Sequence, residues 1–336
     1  MFKNKKILCI ALAILLIIPV LGACGSKDVE DEMIKVSLCE VTHSIFYAPQ
    51  YVALNLGFFE EEGIEIELSN GQGADKVMAA VLSDNVDIGF AGPEASIYVY
   101  NEGKEDYTQV FAQLTQRDGS FLVAREPDPD FTWDKLKGAH VLPGRKGGVP
   151  YMALEYVIRN HGLDPYEDLY LDNSIQFALM AGAFTGGTGD YVTLFEPTAS
   201  MVEAEGQGHI VASVGAEAGL VAFTGYFAKK SFIEENEDII ERFTRAIYRG
   251  QQWVAQHSAE EIAEAVLPSF PDSDVELLTI VAQRYRDIDA WPDKPYTDRE
   301  AFDRLQEIMT SAGELPTHAP YDEVVNNVFA EKVMKE

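Results

Sequence analysis

The chain has 336 residues, with 26 Lys plus Arg against 55 Asp plus Glu, a formal charge of −29 at pH 7. Such acidity disfavours nucleic acid and anionic lipid surfaces as partners for the body of the protein, and it suits a solvated, soluble surface. Only three cysteines, Cys9, Cys24 and Cys39, are present, so the fold is not a disulfide scaffold.

The N-terminus carries Lys3, Lys5 and Lys6, an apolar run from Ile7 to Val20, then Leu21-Gly22-Ala23-Cys24. A cationic start, a greasy stretch and small residues read as a secretion signal, here 1–23. The last four residues resemble the bacterial lipobox, which implies a mature chain beginning with a lipid-bearing Cys24. The alternative is an uncleaved membrane anchor, against which Pro19 and Gly22 weaken the helix. Both place the body outside the cytoplasm, on the outer face of the cell membrane. Loss of the leader leaves 23 basic and 55 acidic residues, or −32. An acidic linker at 24–33 then spaces the lipid from the fold.

From Ile34 the chain alternates strand and helix patterns. Ile34, Val36 and Leu38 alternate as a strand, Ala48 to Phe59 has helical spacing, and Ile64, Ile66 and Leu68 alternate again. A helix near 74–82, a strand at 86–90, a helix opening at Pro93 and a strand at 109–114 follow. Repeated βα units predict a mostly parallel sheet with helices on both faces. A strand at 121–124 precedes Glu126-Pro127-Asp128-Pro129-Asp130, a linker signal that sets the expected lobe boundary.

A second series has strands at 139–142, 169–171, 191–195 and 209–214, with a helix from Pro150 to His161. The glycine-containing turn 215–225 leads to a return strand at 226–228. Beyond it the tail is helical, with three capping-box spacings, Ser231 with Glu234, Ser258 with Glu261 and Thr297 with Glu300. The stripe Ile239, Ile240, Phe243, Ala246, Ile247, Trp253 and Val254 reads as core. The expectation is an α/β chain with lobe one at 34–125, lobe two at 126–224, and 225–336 completing lobe one.

Ligands of open α/β sheets sit beyond the carboxyl ends of the strands, and this rule selects the loops. It picks Thr42, His43, Ser44 and Tyr47 after the first strand, and Gly92, Pro93 and Glu94 after the third. Arg117 follows the strand ending at Leu114, while Gly147 and Gly148 lead onto a helix N-terminus whose free amides favour a polar or anionic group. Asp190 and Glu196 flank the strand 191–195 and could accept a hydrogen bond from a ring N–H. Their alternative is to cap the next helix or to pair between lobes. No nucleophile with its base, no metal-ligand spacing and no cofactor motif is present, so catalytic residues, metals and cofactors are not expected.

Ala48-Pro49, Ala53, Gly57-Phe58-Phe59, Glu62-Gly63-Ile64, Ile66-Glu67, Asp87-Ile88-Gly89 and Glu196-Pro197 together resemble the substrate-binding proteins of ABC importers in the nitrate, sulfonate and thiamine-pyrimidine group. The likeness runs from about Ile34 to Lys230. It implies the periplasmic-binding-protein type II fold: two α/β lobes, two crossing strands and a helical tail. It also implies a monomer that closes on a small solute, with Val149 joining Gly147 and Gly148 among the ligand-facing residues, and hands it to an ABC permease. A cytosolic enzyme of pyrimidine synthesis in the group carries a cysteine-rich motif that this chain lacks; an extracytoplasmic enzyme or sensor is the other reading. Asp190 and Glu196 would repel an anion, which favours a nitrogen heterocycle over a sulfonate or nitrate. Arg117, Arg145 and the Gly147 helix start argue for the anion.

Overall fold

A computed structural model describes residues 33–336. The predicted leader at 1–23, the lipid site Cys24 and all but the last residue of the 24–33 linker lie outside the described residues. No helix among the described residues is long and apolar enough to cross a membrane.

Among the described residues, ten strands form two five-stranded sheets. The first uses β1 (Ile34–Glu40), β2 (Ile64–Asn70), β3 (Ile88–Ala91), β4 (Thr108–Thr115) and, much later, β10 (Thr224–Lys229), in the order β2-β1-β3-β10-β4. The second uses β5 (Ser120–Ala124), β6 (His140–Leu142), β7 (Tyr170–Leu171), β8 (Tyr191–Phe195) and β9 (His209–Ser213), in the order β7-β6-β8-β5-β9. The alternating apolar residues set the register: Ile34 faces Ile64, Leu38 faces Leu68 on one side and Ile88 on the other.

Each sheet holds one antiparallel strand, and each such strand arrives from the other sheet. β5 is antiparallel to β8 and β9, while β10 is antiparallel to β3 and β4. A strand that crosses the gap directly enters the next sheet at the end where the parallel strands finish. It must therefore run against them. The two crossings bring the carboxyl ends of both sheets face to face.

Two expectations are corrected here. The first lobe was placed at 34–125, yet Ser120–Ala124 pairs wholly within the second sheet, so the crossing falls at 116–119. The Pro127 and Pro129 segment merely ends β5, because strand pairing outweighs the turn signal. The tail does more than complete the first lobe. From its helix Arg299–Ser311, Arg304 Nη1 donates to Tyr156 on the second lobe's helix Val149–Asn160 at 3.0 Å.

The long tail helix Glu237–Gln256 buries Ile240, Phe243, Ala246, Ile247 and Val254 as its periodicity requires. Phe243 meets the rings of Phe59, Phe111 and Tyr226, joining tail to first sheet. Of the three capping boxes only Ser258 with Glu261 forms. Ser231 instead donates to Asp106, and the helix after Thr297 is capped at Asp298, leaving Thr297 buried. The helical spacing from Ala48 to Phe59 is carried by two helices, Ala48–Asn55 and Phe58–Glu61, with Gly57 between them at a φ of +77°.

Candidate functional site

Between the sheets lies a cleft of about 340 Å3. The loop after β1 supplies Val41 and Thr42, that after β2 supplies Gln72 to Lys76, and that after β3 supplies Gly92 and Glu94. From the other side come Gly144, Arg145 and Gly148 to Tyr151 after β6, Asn173 to Phe177 after β7, and Phe195 at the end of β8. Phe223 and Thr224 at the second crossing close the floor, with Tyr47 beside them. The β2 loop is shaped by Asn70, whose side-chain oxygen accepts from the Gln72 amide at 2.9 Å.

The walls are aromatic. Phe195 stands 5.8 Å from Phe177 and 6.4 Å from Phe223, and Phe46 packs behind both Phe195 and Phe223 at 5.6 and 5.7 Å. Tyr47 lies edge-on to Phe90, and burial holds its hydroxyl protonated. These rings, inclined at 39° to 77° to one another, line a mostly apolar slot.

The charge distribution is uneven. Glu94 is 2% exposed, and burial pushes its carboxyl up to about 7 against the pull of Arg145 and of nearby amides. At the rim Arg145, from the second lobe, faces Asp75, from the first, at 3.6 Å. Both are about half exposed, so the pair contributes little to stability and is free to part. Lys146 reaches Glu314 of the tail at 3.7 Å, another rim contact between the lobes.

Asp118 lies within the first crossing, wholly buried, and its carboxyl is also pushed up to about 7 by burial. It accepts from the Ser120 amide and hydroxyl at 2.6 and 2.5 Å. Glu94 and Asp118 bind protons more tightly folded than unfolded, where they ionise near 4.5 and 3.8. Their contribution to stability is full below those values and is lost as pH rises through 7. Asp118→Asn keeps the Ser120 bonds but removes this linkage. Urea denaturation at pH 5 and 8 is expected to show the wild type losing about 2–3 kcal/mol relative to the variant over that interval. A pH-independent difference would contradict the assignment.

Of the residues expected at the site, Thr42, Tyr47, Gly92, Glu94, Gly148 and Val149 line the cleft. The others are elsewhere. His43 turns away, its ring bonded to Glu40 at 2.9 Å and to the Ser269 carbonyl at 2.7 Å, against Phe270. Both partners accept, so the ring is held as imidazolium, with its pKa raised by Glu40. Ser44 is buried, donating to the Glu196 carbonyl. Pro93 caps its helix, and the Gly147 carbonyl is spent on Tyr98 at 3.1 Å. Arg117 faces the Gly215 carbonyl at 3.4 Å.

The two carboxylates that favoured a heterocycle are both structural. Asp190 accepts from the His140 amide at 2.8 Å and lines a separate recess beside Arg125 and Tyr191. Glu196 caps the helix Thr198–Ala204 through Ser200 and pairs with Arg284 of the tail at 2.9 Å. The buried acidic group in the cleft is Glu94 instead, with the more exposed Asp75 also lining it. Asn173 to Phe177 went unrecognised, although they follow a strand end in a βα series, the same signal that selected the other loops.

The chain matches the NMT1/THI5-like family over residues 45–261. It is 48% identical over 316 residues to YtlA of Bacillus subtilis (strain 168), a binding protein by name, covering 94% of each chain. It is 24% identical over 232 residues, 66% of each chain, to the 4-amino-5-hydroxymethyl-2-methylpyrimidine phosphate synthase of Aspergillus parasiticus. Among solved structures, the alkanesulfonate-binding protein SsuA from Xanthomonas axonopodis pv. citri, bound to MOPS, superposes with a TM-score of 0.71 at 12% identity, covering 88% of this chain and 99% of that one. The periplasmic nitrate-binding protein NrtA from Synechocystis PCC 6803 gives 0.70 at 16%, covering 90% and 89%. These likenesses establish the periplasmic-binding-protein fold. The match over residues 45–261, with near half identity along almost all of YtlA, makes this chain a member of the NMT1/THI5-like family.

Proposed function

We propose that the protein is an extracytoplasmic solute-binding protein, tethered through lipid on Cys24, that delivers a small molecule to an ABC permease and performs no chemistry on it. The observation that carries this reading is the slot between two lobes, with half-exposed ion pairs across its rim. Hinged closure over a solute would present a new surface to a permease. The names of SsuA and NrtA, as binding proteins on this fold, support it.

For the solute, the Phe177, Phe195 and Phe223 walls with Glu94 at one end favour a nitrogen heterocycle such as a thiamine-related pyrimidine. The pyrimidine named in the fungal relative supports the same class. A second reading, a sulfonate or nitrate, has its own support: Lys76 and Arg145 stand at the rim, and helices begin at Ala74, Glu94 and Val149 around the cleft.

A Cys24→Ala variant tests anchor and cleft together. It is expected to leave the membrane fraction for the soluble one and to carry a heterocycle through purification, seen by native mass spectrometry as a one-to-one complex. A variant that stays in the membrane overturns the lipid tether. A sulfonate or nitrate in the complex selects the second reading, and turnover of the bound compound rejects a pure binding role.

A further inference from the structure

Glu94 has no structural use for one of its oxygens. Its Oε2 is buried without a hydrogen-bond partner, and among the described residues no other cleft-lining side chain has such an atom. Asp118 and Glu155 also bury unpaired carboxylate oxygens, but neither lines the cleft, and other buried carboxylates are engaged. Glu40 is bonded by His43, Gln50 and Tyr51, and Glu196 by Ser200 and Arg284. A buried acceptor left unpaired is costly, and such groups persist where a ligand pairs with them.

The surroundings do not neutralise it. Arg145 lowers its pKa, yet that guanidinium is half exposed and already faces Asp75. Lys76 also lines the cleft, and among the described residues it forms no ion pair with Glu94. Tyr47 and Tyr98 are kept as neutral phenols by burial. Gly92 leaves the carboxylate its room: a Cβ there would stand 2.0 Å from Oε2. The rings of the slot present electron-rich faces that attract a delocalised cation.

We infer that Glu94 accepts an N–H from a protonated nitrogen base seated in the slot, so that the protein selects a cationic heterocycle and discriminates against neutral isosteres and anions. This rests on the cleft being the solute site, and it adds the charge of the solute.

The test is calorimetric titration at pH 7.5 of soluble Cys24→Ala protein and of the same protein carrying Glu94→Gln. Three probes are used: 4-amino-5-hydroxymethyl-2-methylpyrimidine, its neutral 4-oxo counterpart, and MOPS. The amino compound is expected to bind at least tenfold more tightly than the oxo compound. Glu94→Gln is expected to weaken the amino compound roughly ten- to hundredfold without weakening the oxo compound. The comparison of probes on unmodified Glu94 stands even if the variant fails to fold. Equal binding of amino and oxo compounds overturns the charge assignment while leaving the heterocycle reading intact. Binding of MOPS alone, or of none of the three, overturns both.

Discussion

Replacing Arg284 with alanine is expected to destabilise the body by about 3 kcal/mol, read as a lowered urea midpoint. Arg284 Nη1 donates to Glu196 at 2.9 Å and to the Ser200 hydroxyl at 2.6 Å, while Nη2 donates to Glu203 at 2.6 Å. The Glu196 side chain is fully buried and Arg284 is 28% exposed, so removing the cation strands a buried anion with Glu203 close by. The neighbouring Tyr285 hydroxyl accepts from the Glu196 amide at 3.1 Å and donates to the Gly119 carbonyl at 3.0 Å. One tail helix, Val275–Asp287, thus fastens the end of β8 and the first crossing. Glu196→Gln added to Arg284→Ala should recover part of the loss, because the stranded charge is gone. Since neither residue lines the cleft, solute affinity of the folded variant should stay within about threefold. Unchanged stability with a tenfold loss of affinity would return Glu196 to the ligand site.

The second large effect is expected at Gly250, and its sign is unusual. Glycine to alanine inside an exposed helix ordinarily stabilises by about 1 kcal/mol. Gly250 sits midway along the helix Glu237–Gln256, where a Cβ would lie 2.2 Å from the Pro49 carbonyl oxygen and 3.3 Å from the Ala53 Cβ. The obstacle is backbone, which cannot rotate aside. Gly250→Ala should therefore destabilise by about 2–3 kcal/mol, by prising the tail helix off Ala48–Asn55. Gly182→Ala is the control, since nothing lies within 4 Å of its added Cβ. That variant should be neutral or slightly stabilised. If both variants behave alike in urea denaturation, close helix contact at Gly250 is not what holds the tail.

Local chemistry made much of this fold readable. Ile64, Ile66 and Leu68 alternate with polar neighbours because one strand face packs on the core, and Ile240, Phe243 and Ile247 recur because one helix stripe is buried. The rule that solutes sit at strand ends found Thr42, Tyr47, Gly92, Glu94 and Gly148, and the family resemblance added Val149. Capping boxes were less legible. Ser231 and Thr297 have the right neighbour three residues on, but Asp106 engages one and burial removes the other. Those competitors lie far away in the chain, out of reach of any local pattern.

Polar residue types at strand ends, glycines at turns and apolar periodicity depend on near neighbours, so the order of residues was enough to reveal two βα series and the loops that meet between them. Which loop residue faces the solute depends on what else offers a bond, and that comes from distant segments. His43 was claimed by Glu40 and Ser269, Glu196 by Arg284, and Asp190 by the His140 amide. Glu94 was claimed by nothing of comparable strength, and only the folded arrangement leaves its Oε2 unpaired. A side chain's chemistry is written in the chain, but whether that chemistry is already satisfied is settled by three-dimensional packing.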